Sequence, residues 1–164
     1  MTILIKNKYT LQVDEFKFRC CIGKKGSTKH KKEGDKRTPK GTFQIENLYF
    51  RKDRKVKPLT LLKCIEIKSN MGWCDDIHFP KKYNKLIKIK NKIKHEKLRR
   101  KDNKYDFLIP IKYNFEKPTP GLGSCIFIHL TKDYKPTAGC IALKKKDFLI
   151  MVKLIKKNSK IKIF

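Results

Sequence analysis

A chain of 164 residues with 39% apolar content is long enough to bury a core without disulfides, and its ten Phe, six Tyr and one Trp exclude a disordered polyelectrolyte. No run approaches the ~18 apolar residues of a membrane span, so no transmembrane segment is expected. The formal net charge of +28 comes from 37 Lys and only 6 Arg, spread along the chain beside abundant Ile and Asn. That is compositional drift rather than the Arg-led stripe of a base-reading surface, so no specific nucleic-acid partner is expected; nonspecific attraction to anionic surfaces follows either way.

Met1 to Lys6 holds an apolar run too short for a signal peptide and lacks a small-residue cleavage site, so nothing legible here exports the chain. Ile3, Ile5, Leu11 and Val13 alternate with polar residues around Asn7-Lys8, which predicts a strand pair, and Phe16, Phe18, Cys20 and Ile22 alternate again. Residues 23–41 are polar and glycine-punctuated, an irregular stretch. Strands are expected over 42–50, 59–67, 86–93 and 105–113, with Pro110 marking the last as an edge or a bulge. Gly72-Trp73-Cys74-Asp75-Asp76 reads as a loop and 95–101 as a short helix.

After the turn at 118–123, Cys125 to Leu130 is a compact apolar strand. Phe148, Leu149, Val152 and Ile155 share one helical face between Lys146 and Lys157, and 161–164 closes as a strand. The prediction is one domain over 1–164, mainly β, with a C-terminal helix and few other short helices.

Six cysteines, at 20, 21, 64, 74, 125 and 140, include no Cys-x-x-Cys pair. Adjacent Cys20 and Cys21 point to opposite strand faces and are poor partners for each other; most of the six are expected to be buried, inert thiols.

The window 118–143 carries the chemistry. His129 lies at the end of an apolar strand, and Cys140 follows eleven residues later within Thr137-Ala138-Gly139-Cys140-Ile141. A thiol near its free pKa of ~8.5 is little ionised at neutral pH, and a neighbouring imidazole can take its proton. Gly139 lets the backbone approach an incoming carbonyl, and its N–H with that of Cys140 can hold an oxyanion. The bland alternative is a satisfied core histidine beside small-residue packing. A zinc site of Cys125, His129 and Cys140 matches no standard finger spacing, so no metal is expected.

The residues also carry a wider resemblance. His129 ahead of Thr137-Ala138-Gly139-Cys140 resembles the strand-borne His and Ser/Thr-x-Gly-Cys turn of the L,D-transpeptidase (YkuD-like) family. Gly34-Asp35-Lys36-Arg37-Thr38-Pro39-Lys40-Gly41 is similar to its Gly-Asp-x-x-Thr-Pro-x-Gly segment, and Gly72–Asp76, Tyr83-Asn84, Tyr105-Asp106, Tyr113-Asn114 and Gly121-x-Gly123-Ser124 resemble markers of its compact branch. The resemblance implies a β-sandwich or barrel and a cysteine enzyme acting on peptidoglycan stem peptides, without metal or organic cofactor. It also implies Cys140 as nucleophile, His129 as general base and Gly139 as oxyanion donor. A thiolate attack expels the terminal D-Ala, and an amine from a second stem, or water, resolves the acyl-enzyme.

Such a substrate implies the cell envelope, against the missing export signal, which leaves the cytoplasm open. Two positions depart from the family turn: Ala138 replaces the commoner His, and Ala142 the Arg or Asn two residues beyond the cysteine. Trp73, Thr137, Tyr113 and Asn114 are the candidate substrate-binding residues, with a core anchor the alternative for Trp73 and a structural hydrogen bond at a strand end the alternative for Tyr113 and Asn114. Asp75, Asp76, Asp35 and Thr38 are expected to order loops; His30, His78 and His95, to be exposed. The oligomeric state is not legible. A wall-binding module without turnover and a charge-driven nucleic-acid binder are the rival functions.

Overall fold

The computed structural model describes residues 1–89 and 92–164. Alternation builds the first layer: in β1 (Thr2–Ile5), β2 (Thr10–Val13) and β3 (Phe16–Cys21), the residues Ile3, Ile5, Leu11, Val13, Phe18 and Cys20 are buried. The three form an antiparallel meander, Ile3 opposite Val13 and Leu11 opposite Phe18. On one side β15 (Lys160–Ile163) runs parallel to β1, and β6 (Gly41–Gln44) pairs antiparallel with β15. On the other, β3 pairs with β14 (Ile141–Leu143), which runs parallel to β13 (Phe127–Leu130). Then come β12 (Phe107–Pro110), β7 (Leu48–Phe50) and β8 (Cys64–Glu66), completing ten strands.

This sheet cannot be flat. β6 and β12 are seven strand spacings apart, about 34 Å if laid out at ~4.8 Å each. Yet Ile45, just past β6, bridges Ile111, just past β12, and Lys112 N–H donates to the Gln44 carbonyl at 2.8 Å. The sheet therefore curls into a half-barrel that encloses its core. Helix α1 (Lys145–Leu154) plugs that core with Phe148, Met151 and Val152, and Phe148 stacks on Phe107 at 6.0 Å. The helix stops short of Lys157 because Ile155 turns extended, yet Ile155 stays buried as expected.

Beside the half-barrel, β9 (Met71–Cys74) is sandwiched between β10 (Leu86–Lys88) and β11 (His95–Lys97), and β4 (Ser27–Thr28) pairs with β5 (Thr38–Pro39) in the otherwise irregular 23–41 stretch. The three-stranded sheet corrects two expectations. Residues 72–76 do not form a loop throughout, and 95–101 holds a strand, not a helix; α1 is the one helix among the described residues. Cross-strand packing decides this: a Cβ on Gly72 would lie 2.7 Å from the His95 ring, so glycine there lets the imidazole cross β9. His95 is accordingly half-buried, with Nδ1 2.7 Å from the Ile93 carbonyl, while His30 and His78 are exposed.

The strand expected over 42–50 is two, on opposite ends of the curled sheet, with 45–47 stepping across the seam. Of that expected over 86–93, Leu86–Lys88 is β10, and residues 90–91 lie outside the described residues. Nor does Pro110 mark an edge: β12 is interior, but β7 pairs only with Phe107 and Leu108, so the missing N–H interrupts no ladder. All six cysteines are free; Cys64 and Cys125 are only half-buried.

Candidate active site

Period-two alternation on β13 and β14 divides two environments. Ile126, Ile128, Leu130, Ile141 and Leu143 enter the main core, whereas Phe127 and Cys140 join a second apolar cluster on the opposite face with Trp73, Tyr105 and Leu108. His129 and Ala142 share that second face and are register partners across the parallel pair. The strands thus deliver the imidazole and the thiol to one side, and both line a cleft of about 500 Å³.

Both groups are neutral at rest. Burial pushes the Cys140 thiol up to about 12, and its sulfur donates to the Cys125 carbonyl at 3.1 Å while accepting the Phe127 N–H at 3.3 Å. Burial likewise pushes His129 down to about 4. A neutral imidazole has one N–H, and Nδ1 lies 2.8 Å from the Leu130 carbonyl; that oxygen can only accept, so Nδ1 carries the proton and Nε2 the lone pair. The orienting group is thus the next residue's own carbonyl. Tyr105 packs edge-on against the ring at 5.3 Å.

The loop joining the two strands is held from a distance. Thr38, fully buried, accepts the Gly23 N–H at 2.9 Å and donates to the Gly139 carbonyl at 2.8 Å. Gly139 has φ +148, and a Cβ there would lie 2.9 Å from the Arg37 carbonyl oxygen, so only glycine fits. The Thr137 hydroxyl donates to the Cys140 carbonyl at 2.6 Å and accepts the Gly139 N–H at 3.1 Å. The Gly139 N–H expected to hold an oxyanion is thus engaged by Thr137, and the Thr137 hydroxyl expected to face substrate bonds within the turn, although both residues line the cleft.

The other substrate candidates also have structural partners. Trp73 is 2% exposed; its indole N–H donates to Asn84 Oδ1 at 2.9 Å and its ring meets Tyr49, Phe115 and Phe127, so it is a core anchor and no platform. Tyr113 and Asn114 lie away from the cleft lining. The Tyr113 hydroxyl donates to the Leu122 carbonyl, and Asn114, at φ +48, clamps Thr119 and Gly123, closing the 114–123 loop. Asp35 and Asp76 accept backbone N–H groups of their own neighbourhoods, as loop-ordering residues do.

What the sequence reading missed is the cleft wall. Glu96 accepts from Tyr105 at 3.0 Å and from Arg100 at 3.0 Å, and the guanidinium lies 5.1 Å over the Tyr105 ring that buttresses His129. Opposite, Glu33 accepts from Ser124 at 2.7 Å and from the Tyr83 hydroxyl. The lining balances Lys31, Arg100, Lys104 and Lys135 against Glu33, Asp75, Glu96 and Asp133, on a chain whose overall charge is +28. Among the described residues, no group of three His, Cys, Asp or Glu side chains is placed to hold a metal ion, and no helix is long and apolar enough to cross a membrane.

Residues 2–163 match the family described as YkuD, L,D-transpeptidase catalytic domain. The solved structure of Bdellovibrio bacteriovorus Bd1075 aligns at 15% identity with a TM-score of 0.48, over 99% of this chain and 47% of that one, so the chain spans about half of that protein's length. No curated protein matches.

Proposed function

Since the chain belongs to the L,D-transpeptidase catalytic-domain family of peptidoglycan-modifying enzymes, we propose that it is a cysteine acyl-transferase acting on stem peptides through an acyl-enzyme on Cys140. The observation that supports the reading is that His129 and Cys140 line one cleft, while the Nδ1–H committed to the Leu130 carbonyl leaves Nε2 as the basic nitrogen.

The step starts from a neutral pair. As the Cys140 sulfur bonds to the donor carbonyl carbon, its proton passes to Nε2; the oxyanion takes the Cys140 N–H, because the Gly139 N–H is held by Thr137. Collapse breaks the C–N bond to the terminal D-Ala, whose amine leaves with the His129 proton. An amine of a second stem, or water, then attacks the thioester and returns a proton through His129. Stem peptides carry both carboxylates and amines, which suits a lining of four cations and four carboxylates. Lys104 lies on the wall where a carboxylate can be met without a side chain at Ala142, beside Arg100, whose guanidinium is already paired with Glu96 and Asp102. Such a substrate implies action at the cell envelope, with the cytoplasm as the alternative compartment.

Incubation with defined tetrapeptide and pentapeptide muropeptides, read by mass, tests this. A cross-linked product or loss of D-Ala that disappears in Cys140→Ala supports transfer or hydrolysis respectively. Binding to sacculi without turnover, unchanged in Cys140→Ala, would instead make the domain a wall-binding module, the reading that Ala138, Ala142 and the 9% exposure of Cys140 favour.

A further inference from the structure

Large apolar side chains on a protein surface are ordinary when scattered and informative when they gather on one loop. The segment connecting β7 to β8 gathers three: Val56, Leu59 and Leu61 are 88%, 75% and 69% exposed. They are not frayed chain. Leu62 is buried in the main core, Pro58 is buried, and the Thr60 hydroxyl donates to the Val152 carbonyl of α1 at 2.6 Å. With Thr60 and Leu62 anchored inward, their neighbours Leu59 and Leu61 are held outward. The loop spends ordered backbone on presenting apolar groups to solvent.

Charge surrounds them. Residues 52–66 contain Lys52, Arg54, Lys55, Lys57 and Lys63 against Asp53 and Glu66. Asp53 is bound by Arg51, Lys52 reaches Glu66 at 3.7 Å, and Arg54 and Lys55 share the buried Asp106. Lys57 and Lys63 remain exposed next to the apolar residues. The Thr60 bond sets the loop against the last turn of α1, where Lys153 is exposed and Lys156 and Lys157 follow.

We propose that this loop docks the protein onto an anionic lipid bilayer, with Val56, Leu59 and Leu61 entering the headgroup boundary and the surrounding lysines meeting lipid phosphates. Projecting aliphatic side chains gain nothing from a hydrated polyanion such as nucleic acid or a wall polymer, and a basic rim gains little from a neutral surface; an acidic membrane satisfies both. The inference does not depend on the reaction at Cys140.

Flotation with vesicles of phosphatidylcholine containing phosphatidylglycerol, against phosphatidylcholine alone, tests it. The full chain should float with the anionic vesicles only. The triple variant V56S/L59S/L61S should partition at least about tenfold more weakly, since three aliphatic side chains leave the lipid boundary, while Tyr9→Ser/Phe16→Ser, exposed residues elsewhere, should bind as the parent does. In Leu59→Trp the new indole should shift to the blue on those vesicles, against a buried Trp73 that stays constant. No flotation, equal flotation of the triple variant and the parent, or no shift at position 59 would each overturn the proposal. Equal flotation would reduce the interaction to net charge.

Discussion

A thiol held near 12 has a measurable signature. At pH 7 its thiolate fraction is about a thousandfold below that of a cysteine at the ordinary value of 9.0. The more basic thiolate is intrinsically more nucleophilic, and a Brønsted coefficient of about 0.45 returns roughly twentyfold. Cys140 should therefore alkylate about fiftyfold more slowly than the same residue in the denatured chain, before any steric screening by its burial. The assay is iodoacetamide labelling resolved by peptide mass, so that Cys140 is followed separately from the other five cysteines. The logarithm of its rate should climb with unit slope through pH 10 without levelling. A plateau between pH 7 and 9, or labelling at pH 7 faster than in denaturant, would mean a preformed thiolate–imidazolium pair and would refute the neutral-pair reasoning.

On the proposed mechanism acylation should behave differently, because His129 would take the proton only as the bond forms. Modification by a carbapenem-type β-lactam, followed by intact mass, should be nearly independent of pH from 5.5 to 9, since His129 is neutral above about 4 and Cys140 below about 12; His129→Ala should lose it at neutral pH. The same shift couples to stability. The unfolded His129 binds a proton near 6.5 and the folded one only near 4, so stability contributed by this residue is present above 6.5 and lost as pH falls toward 4, by up to about 3 kcal/mol. Denaturant titration should show that portion of the acid slope flattened in His129→Gln. Thr38→Val removes the partner of the Gly23 N–H and the Gly139 carbonyl, and urea unfolding should fall by ~1–3 kcal/mol with a larger proportional loss in kcat than in KM. Asn84→Ala strips partners from the Trp73 indole, the Cys125 N–H and two carbonyls, and should cost about 3 kcal/mol or more by the same measurement.

The mainly β architecture, the C-terminal helix and the Cys–His window were legible because each is written locally. Alternation sets the core face of β1 to β3, and the His129–Cys140 spacing puts strand, turn and strand within the seventeen residues 127–143. The sequence left Trp73 open between a substrate platform and a core anchor because its neighbours, Gly72, Asp75 and Asp76, are polar or small; the core anchor holds, since its burial is decided by Tyr49, Phe115 and Phe127 from three distant segments. The helix expected at 95–101 failed for a similar reason: pairing with β9 overrides a weak local pattern. Glu96, Arg100 and Lys104 carried no signal at all, since in a chain with 35% charged residues a charge on the cleft wall looks like any other.

In the proposed reaction, a neutral thiol and a neutral imidazole would leave the work of charge separation to the moment of attack. Nothing at rest stores it: the thiol is bonded as a donor to the Cys125 carbonyl, and the imidazole N–H is satisfied by Leu130. The oxyanion of the proposed step would then have to be met by a donor already in place, because a donor that has to reorganise returns much of what it contributes. The Cys140 N–H is such a donor only while the 137–140 turn keeps its shape. That shape rests on two hydroxyls, Thr137 within the turn and Thr38 a hundred residues earlier, and on a glycine pressed against the Arg37 carbonyl. Burial of the pair and rigidity of the turn are consequently one requirement, and substitutions at Thr38 or Gly139 should act on the rate of bond formation even where the cleft still binds its substrate.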